Sequence, residues 1–328
     1  MAVRKTESRI PQNLQPSDLG QSVVAADGRC ALVSFVSSPL VINRQNICVL
    51  FITDAGLAAV ASSFEWTIAE SVGLPRVETF EFGEIAFTPT HQGALNVSVR
   101  VLDSSANEQA SLSMVQEVVP ASAELETLIN DAIEHPGPSI GSPEVLRELI
   151  NEHNTYYQNV APQTPESGDA FKRFVFSMVY DGALQRTAAE RKQDLDQLAL
   201  SLNEATVDFA TLGAKGAGVC AIRPLLLSMT LPDMLEFTFL PEDVNKRSVA
   251  MEQLLQTLAL LEENKRIDLY NILRFPKSNI TFCGRVLETL RNKYFNNTNF
   301  EQILTGLSGV RADWIIGQFV RGPITRSS

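Results

Sequence analysis

Between Phe80 and Val101 the chain reads FEFGEIAFTPTHQGALNVSVRV. Apolar and polar positions alternate, break at Pro89-Thr90-His91-Gln92-Gly93, and alternate again. A period of two puts successive side chains on opposite faces of a strand, so the stretch reads as an antiparallel pair joined by a turn. Ile85 and Phe87 mark the inward face of the first strand, and Leu95, Val97, Val99 and Val101 that of the second. Earlier in the chain, CALVSFVSS (Cys30 to Ser38) and ICVLFIT (Ile47 to Thr53) are runs rich in β-branched and aromatic residues. The Pro39 region and the polar Asn43-Arg44-Gln45-Asn46 separate them, which predicts two more strands. SSFEWTIAE sets Phe64, Trp66 and Ile68 on one face, against Glu65 and Thr67 on the other. ASLSMVQEVV does the same with Ala110, Leu112 and Met114. About seven short strands at roughly ten-residue spacing predict a β-sandwich over residues 22–119, with Phe64, Trp66, Ile68, Leu95, Val97 and Val99 in its core. The polar stretch before it, with Pro11 and Pro16, reads as a flexible arm over residues 1–21.

After Val119 the period changes to 3.6, and residues 120–328 read as an all-helical domain. SAELETLINDAIEH opens it; Ser142-Pro143 is a helix start with Ser as N-cap and Pro at the first helical position. FKRFVFSMVY places Phe171, Phe174 and Met178 on one face. Thr187-Ala188-Ala189-Glu190 is a capping box leading a long amphipathic helix through Leu195, Leu198 and Leu202 to Gly213. Further helices are expected over Val249–Glu263, Ile267–Leu273, Arg285–Tyr294, Phe300–Leu307 and Ala312–Val320. The fold class is therefore an N-terminal immunoglobulin-like β-sandwich followed by an all-helical domain.

An inward tryptophan at Trp66, the turn Pro89-Thr90-His91-Gln92-Gly93 and the alternating strand Leu95-x-Val97-x-Val99-x-Val101 follow one another in this order. In this the segment resembles immunoglobulin-like domains of the PKD kind, found in bacterial surface and assembly proteins. Trp66 matches their central-strand tryptophan, and the Pro89–Gly93 turn the one before their penultimate strand. Two positions depart from the pattern. Leu95 stands where such domains place a corner tyrosine, and Thr67-Ile68-Ala69-Glu70 occupies the place of their glycine-aspartate-glycine signature. The resemblance implies a protein-binding module.

Composition narrows the function classes. The 328 residues carry a net charge of −11, with 45% apolar and 20% charged side chains. Lys and Arg are scattered, whereas nucleic-acid binders need a basic face to displace counterions from phosphates. No nucleic-acid partner is expected. Nor is membrane insertion, because no window reaches the ~18 apolar residues of a span. The basic residues of MAVRKTESRIPQNLQPSD are not followed by an apolar segment, which predicts synthesis in the cytoplasm without a secretory signal.

Candidate chemistry is sparse. Cys30, Cys48, Cys220 and Cys283 form no metal-ligand spacing and read as buried free thiols. His91, His135 and His153 lie far apart, in no HxH or HExxH pattern. LGAKGAGVC (Leu212 to Cys220) has the glycines and Lys215 of a phosphate cradle but not the Walker spacing. It reads as a flexible helix–helix connection, with Cys220 as a possible thiolate at the next segment's start. Glu144, Glu148, Glu262 and Glu263 lie on acidic helix faces, and Glu70-Ser71 is similar to the Glu-Ser pair of lytic transglycosylases but falls in a strand-rich region. Asn-x-Ser/Thr sequons stand at Asn96, Asn279 and Asn296. No catalytic residue, cofactor or metal is expected.

IRPLLLSMTLPDMLEFTFLP (Ile222 to Pro241) is the most apolar segment, a core segment or a docking surface in which Arg223, Leu225, Leu226, Leu227 and Met229 would meet a partner. The expectation is a non-enzymatic, protein-binding or structural chain in a larger assembly. A bacterial phage-tail-like contractile injection particle, with this chain as accessory or cargo, is one such setting. A cell-wall hydrolase using the sandwich as its binding module, or a chaperone or adaptor using residues 222–241, are the alternatives.

Overall fold

The computed structural model describes residues 15–120, 243–295 and 298–305, and between them residues 171, 174, 175, 178, 193–198, 218, 220 and 222. The chain divides into two compact units, Met1–Thr155 and Tyr156–Ser328. The described part of the first is strand-rich and that of the second helical.

The first unit opens with a helical turn, α1 (Pro16–Leu19), whose Leu19 is fully buried. Order therefore begins before the end of the arm expected over 1–21, because an apolar residue at its root is drawn into the unit; residues 1–14 lie outside the described part. Nine strands follow: β1 (Gln21–Val24), β2 (Cys30–Ser34), β3 (Leu40–Val41), β4 (Asn46–Ile52), β5 (Ser63–Glu70), β6 (Arg76–Phe80), β7 (Glu84–Phe87), β8 (Gly93–Leu102) and β9 (Glu108–Val119). A short helix α2 (Ala55–Val60) links β4 to β5, capped by the Asp54 side chain accepting from the Leu57 N–H. The strands form a four-stranded sheet, β1-β2-β4-β7, and a five-stranded sheet, β3-β9-β8-β5-β6.

One buried cluster draws on both sheets: Leu32, Cys48 and Leu50 from the first, Phe64, Trp66, Ile68, Leu95, Val97, Val99 and Met114 from the second. Alternation along β5, β8 and β9 follows from one face being buried and the other wet. β2 and β4 behave differently. Ala31, Val33, Val49 and Phe51 are buried on the opposite face as well, so these strands read as continuous apolar runs. Gln116, Asn46 and Ser34 form a buried polar knot between the sheets. Asn46 Nδ2 donates to Ser34 Oγ at 2.8 Å, and Gln116 Nε2 to the Val36 carbonyl at 2.9 Å. Each buried amide thus has a partner, as burial requires.

The Phe80–Val101 stretch is not a hairpin. β7 pairs with β4 in one sheet and β8 with β5 and β9 in the other, so residues 88–92 cross between sheets. Alternation reports which face is buried but not which strand lies alongside. β6 escaped the pattern for a related reason. Arg76 and Glu78 stand opposite Ile68 and Trp66, which puts charges at the core-facing positions of an edge strand. Charge turned inward at an edge is a known guard against edge-to-edge pairing.

In the second unit, α3 (Val244–Ala259), α4 (Glu263–Arg274), α5 (Pro276–Tyr294) and α6 (Phe300–Thr305) are described. Residues 193–198 are helical too. Phe171, Phe174 and Met178 are buried on one face with Val175. Phe300 of α6 receives the two phenylalanines, its ring 4.8 Å from Phe171 and 5.9 Å edge-on from Phe174. α5 starts nine residues before the expected Arg285, with Pro276 in its first turn. The reason is polar. Ser278 Oγ donates to the Ile272 and Phe275 carbonyls (2.8 and 2.9 Å) and Asn279 Nδ2 to the Leu273 carbonyl (3.0 Å), so both are buried without breaking the helix. The helices expected around residues 122–157 and over 312–320 and the capping box at Thr187–Glu190 lie outside the described residues.

Candidate functional site

The register fixes two ends of the strand-rich unit. Glu70 at the end of β5 stands opposite Leu95, and Gly93 opposite Val118, so the 71–75 and 88–92 connections emerge together. They are clasped. Glu70 Oε2 accepts the Thr90 N–H at 2.9 Å and the His91 N–H at 2.7 Å, and Oε1 accepts Thr90 Oγ1 at 3.0 Å. Ser71 Oγ donates to the Gln92 carbonyl at 2.6 Å, and the Pro89 carbonyl accepts the Asn43 N–H at 2.8 Å. On this braced root the 71–75 turn carries Val72, 60% exposed, and Leu74, 96% exposed; Val77 follows on β6 at 57%. Large apolar side chains held out into water on a rigid turn are the composition of a recognition surface.

The same cluster could be mistaken for a triad. His91 Nδ1 lies 2.9 Å from Thr90 Oγ1 and 3.1 Å from Glu70 Oε2. A relay needs the hydroxyl at one ring nitrogen and the carboxylate at the other. Here both meet the same nitrogen. Nor is Glu70 a general acid. Desolvation would raise its pKa, but the hydrogen bonds from Thr90 and His91 outweigh it and hold the carboxyl below its usual range. A glycosidase acid needs the reverse shift.

A pH dependence follows. The folded pKa of Glu70 lies below the unfolded one, so its contribution is complete above the ordinary carboxylate range of about 4.3 and is lost as pH falls through the lowered value. Glu70→Gln should remove about 1–3 kcal/mol at neutral pH. Urea unfolding of both proteins between pH ~2 and ~6 should show that difference shrinking toward acid. A pH-independent gap would mean that the charge plays no part in the clasp.

At the opposite end, where Ser63 faces Leu102, a cleft of about 790 Å³ is lined by residues 59–62, Glu81, Asp103, Ser104 and Gln109. One of its two carboxylates, Asp103, is engaged in holding its own loop. Asp103 accepts the N–H groups of Asn107 (2.9 Å) and Ser105 (2.8 Å) and the Gln109 amide (2.8 Å), and the Asn107 bond above all holds its pKa low.

In the helical unit, Gly218 and Cys220 are the described residues of LGAKGAGVC, and both are buried. The Cys220 N–H donates to Asn279 Oδ1 at 2.9 Å, and Gly218 packs so closely that a Cβ there would lie 2.2 Å from both Asn279 Nδ2 and the Leu273 carbonyl. Burial pushes the Cys220 thiol well up, and the adjacent Cys283 thiol adds to this; an activated thiolate is the opposite condition. Cys30 and Cys48 are buried free thiols as well, with Cys48 pushed up to about 12 by burial. Asn279, noted in the sequence only as a sequon, is the anchor of this junction; its amide is fully buried and engaged, so the folded chain offers no acceptor there.

Glu262 is exposed. Arg223, Leu225, Leu226, Leu227, Met229, Glu144, Glu148, His135, His153, Gly213, Lys215 and Asn296 lie outside the described residues; Ile222, at the start of the apolar segment, is fully buried. Among the described residues no helix is long and apolar enough to cross a membrane, and no group of three or more His, Cys, Asp or Glu side chains could hold a metal. Neither a family model, nor a curated protein, nor a solved structure matches this chain.

Proposed function

We propose that this chain is a non-enzymatic recognition protein whose strand-rich unit, an immunoglobulin-like sandwich of the PKD kind, binds another protein through its clasped loop end. The observation that carries the reading is the 71–75 turn, braced by Glu70 and Ser71 and presenting Val72 and Leu74 to solvent. Pre-ordering of such a turn lowers the entropy lost on binding, which is the use of the brace. Several polar groups of the described residues serve the fold. Glu70, Asp103 and His91 are engaged in holding loops, and the thiols are buried. The setting we favour is a larger bacterial assembly built in the cytoplasm, such as a phage-tail-like contractile injection particle, with this chain as accessory or cargo. That setting rests on the resemblance alone, because a fold does not by itself give a function.

The test uses the whole chain and its Leu74→Asp variant as bait in native cell lysate, with mass spectrometry of what stays bound. Leu74 is almost wholly exposed, so the substitution leaves the core untouched. Tube, sheath or other assembly proteins held by the wild type and lost from the variant are expected. Equal capture by both would move the interface away from this end and sink the assignment.

A further inference from the structure

Four cysteines stand in this chain, and the fold brings two of them together from distant parts of the sequence. Asn279 and Cys283 lie one helical turn apart on α5, so their side chains share a face. Asn279 Oδ1 holds the Cys220 N–H at 2.9 Å, which seats the Cys220 backbone over that face. Gly218, two residues earlier, lets the segment come this close by having no Cβ. That placement brings the Cys220 thiol beside that of Cys283, with Cys220 1% and Cys283 0% exposed. Two neighbouring thiols, one on backbone held by Asn279 and the other one turn further along the same helix, have the proximity from which a crosslink can form. Cys30 and Cys48 differ in this respect. They sit on adjacent strands but in different rungs, Cys30 opposite Ile52 and Cys48 opposite Ser34.

We infer that Cys220 and Cys283 are an oxidisable pair that closes into a disulfide, tying the 218–220 segment to α5, when the protein meets a small-molecule disulfide. The step balances. One cysteine, as thiolate, attacks oxidised glutathione; a mixed disulfide forms and one glutathione thiolate leaves. The second cysteine attacks the mixed disulfide, its S–H proton passes to solvent, and the second glutathione leaves. The pair loses two electrons and two protons; the glutathione disulfide gains both. Burial keeps the Cys220 thiol protonated, so exchange there proceeds through local opening and is slow in a reducing cytoplasm. The crosslink persists where the environment is oxidising. This conclusion is independent of the proposed binding function.

The experiment incubates the full-length protein with oxidised glutathione, blocks remaining thiols under denaturing conditions, and maps peptides without reduction. The expected result is a peptide joining Cys220 to Cys283, with Cys30 and Cys48 recovered as blocked thiols. The oxidised protein should also melt at a higher temperature than the reduced one. Cys283→Ser should abolish that shift while Cys30→Ser leaves it. Should Cys283→Ser fail to fold, the wild-type peptide map decides alone, and Cys220→Ser provides a second variant. Recovery of both cysteines as thiols, or each joined to glutathione and never to the other, would overturn the inference.

Discussion

Replacing Trp66 by Ala should destabilise the strand-rich unit by about 3–5 kcal/mol, the range for truncating a large aromatic in a packed core. Trp66 is wholly buried, opposite Val99 on β8 and Glu78 on β6, and belongs to the cluster shared by both sheets. Relaxation around the void is limited, because Phe64 and Ile68 on either side are held by the same ladder to β8. A loss of this size is comparable to the whole stability of a domain, so the unit should be largely unfolded at ordinary temperatures. Trp66→Phe provides the contrast. The indole Nε1–H has no hydrogen-bond partner among the described residues, so removing it orphans no acceptor. The Phe variant should therefore lose much less than the Ala variant. Urea unfolding followed by circular dichroism in the strand region measures both, with the helical unit's transition treated separately. Equal losses for Phe and Ala would show that the indole makes a hydrogen bond; no loss for Ala would remove Trp66 from the core.

The second large effect is expected at Gly218. Its φ is +73°, and Gly28 in the strand-rich unit has nearly the same value, +71°. Alanine costs both positions the left-handed backbone penalty of about 1–2 kcal/mol. Only Gly218 adds a collision. Its Cβ would sit 2.2 Å from the Leu273 carbonyl oxygen, a backbone atom that cannot swing aside, whereas a Cβ at Gly28 meets nothing within 4 Å. The Gly218 segment must lift off α5, which breaks the Cys220 N–H to Asn279 bond and leaves a buried amide oxygen unpaired, a further ~1–3 kcal/mol. Gly218→Ala should thus lower the melting transition of the helical unit clearly more than Gly28→Ala lowers that of the strand-rich unit. It should also raise amide hydrogen exchange at Cys220. Matching small shifts in the two variants would mean that the junction is looser than its distances state.

Some of this architecture is legible in residue order. Alternation picks out β5, β8 and β9 and assigns Phe64, Trp66, Ile68, Val97 and Val99 to the interior, because a strand with one wet face must alternate. The unbroken runs at β2 and β4 carry a second message, burial on both faces, which only becomes plain beside the exposure of each residue. The face of Phe171, Phe174 and Met178 is similarly written in a 3.6 period.

What periodicity cannot encode is adjacency. The pairing of β7 with β4, and not with β8, depends on a crossover held by Glu70 reaching Thr90 and His91 from twenty residues away. β6 stays hidden because the charges at its core-facing positions answer to an edge in the sheet order, and sheet order is a property of the folded chain. The seating of Cys220 on Asn279, 59 residues further along the chain, is of the same kind. The Asn279 amide oxygen is satisfied there by a partner distant in sequence, the Cys220 N–H. The residue sequence by itself determined which faces turn inward, through local hydrophobic period. The tertiary structure alone decided which groups meet, since hydrogen bonds and close packing act between neighbours in space.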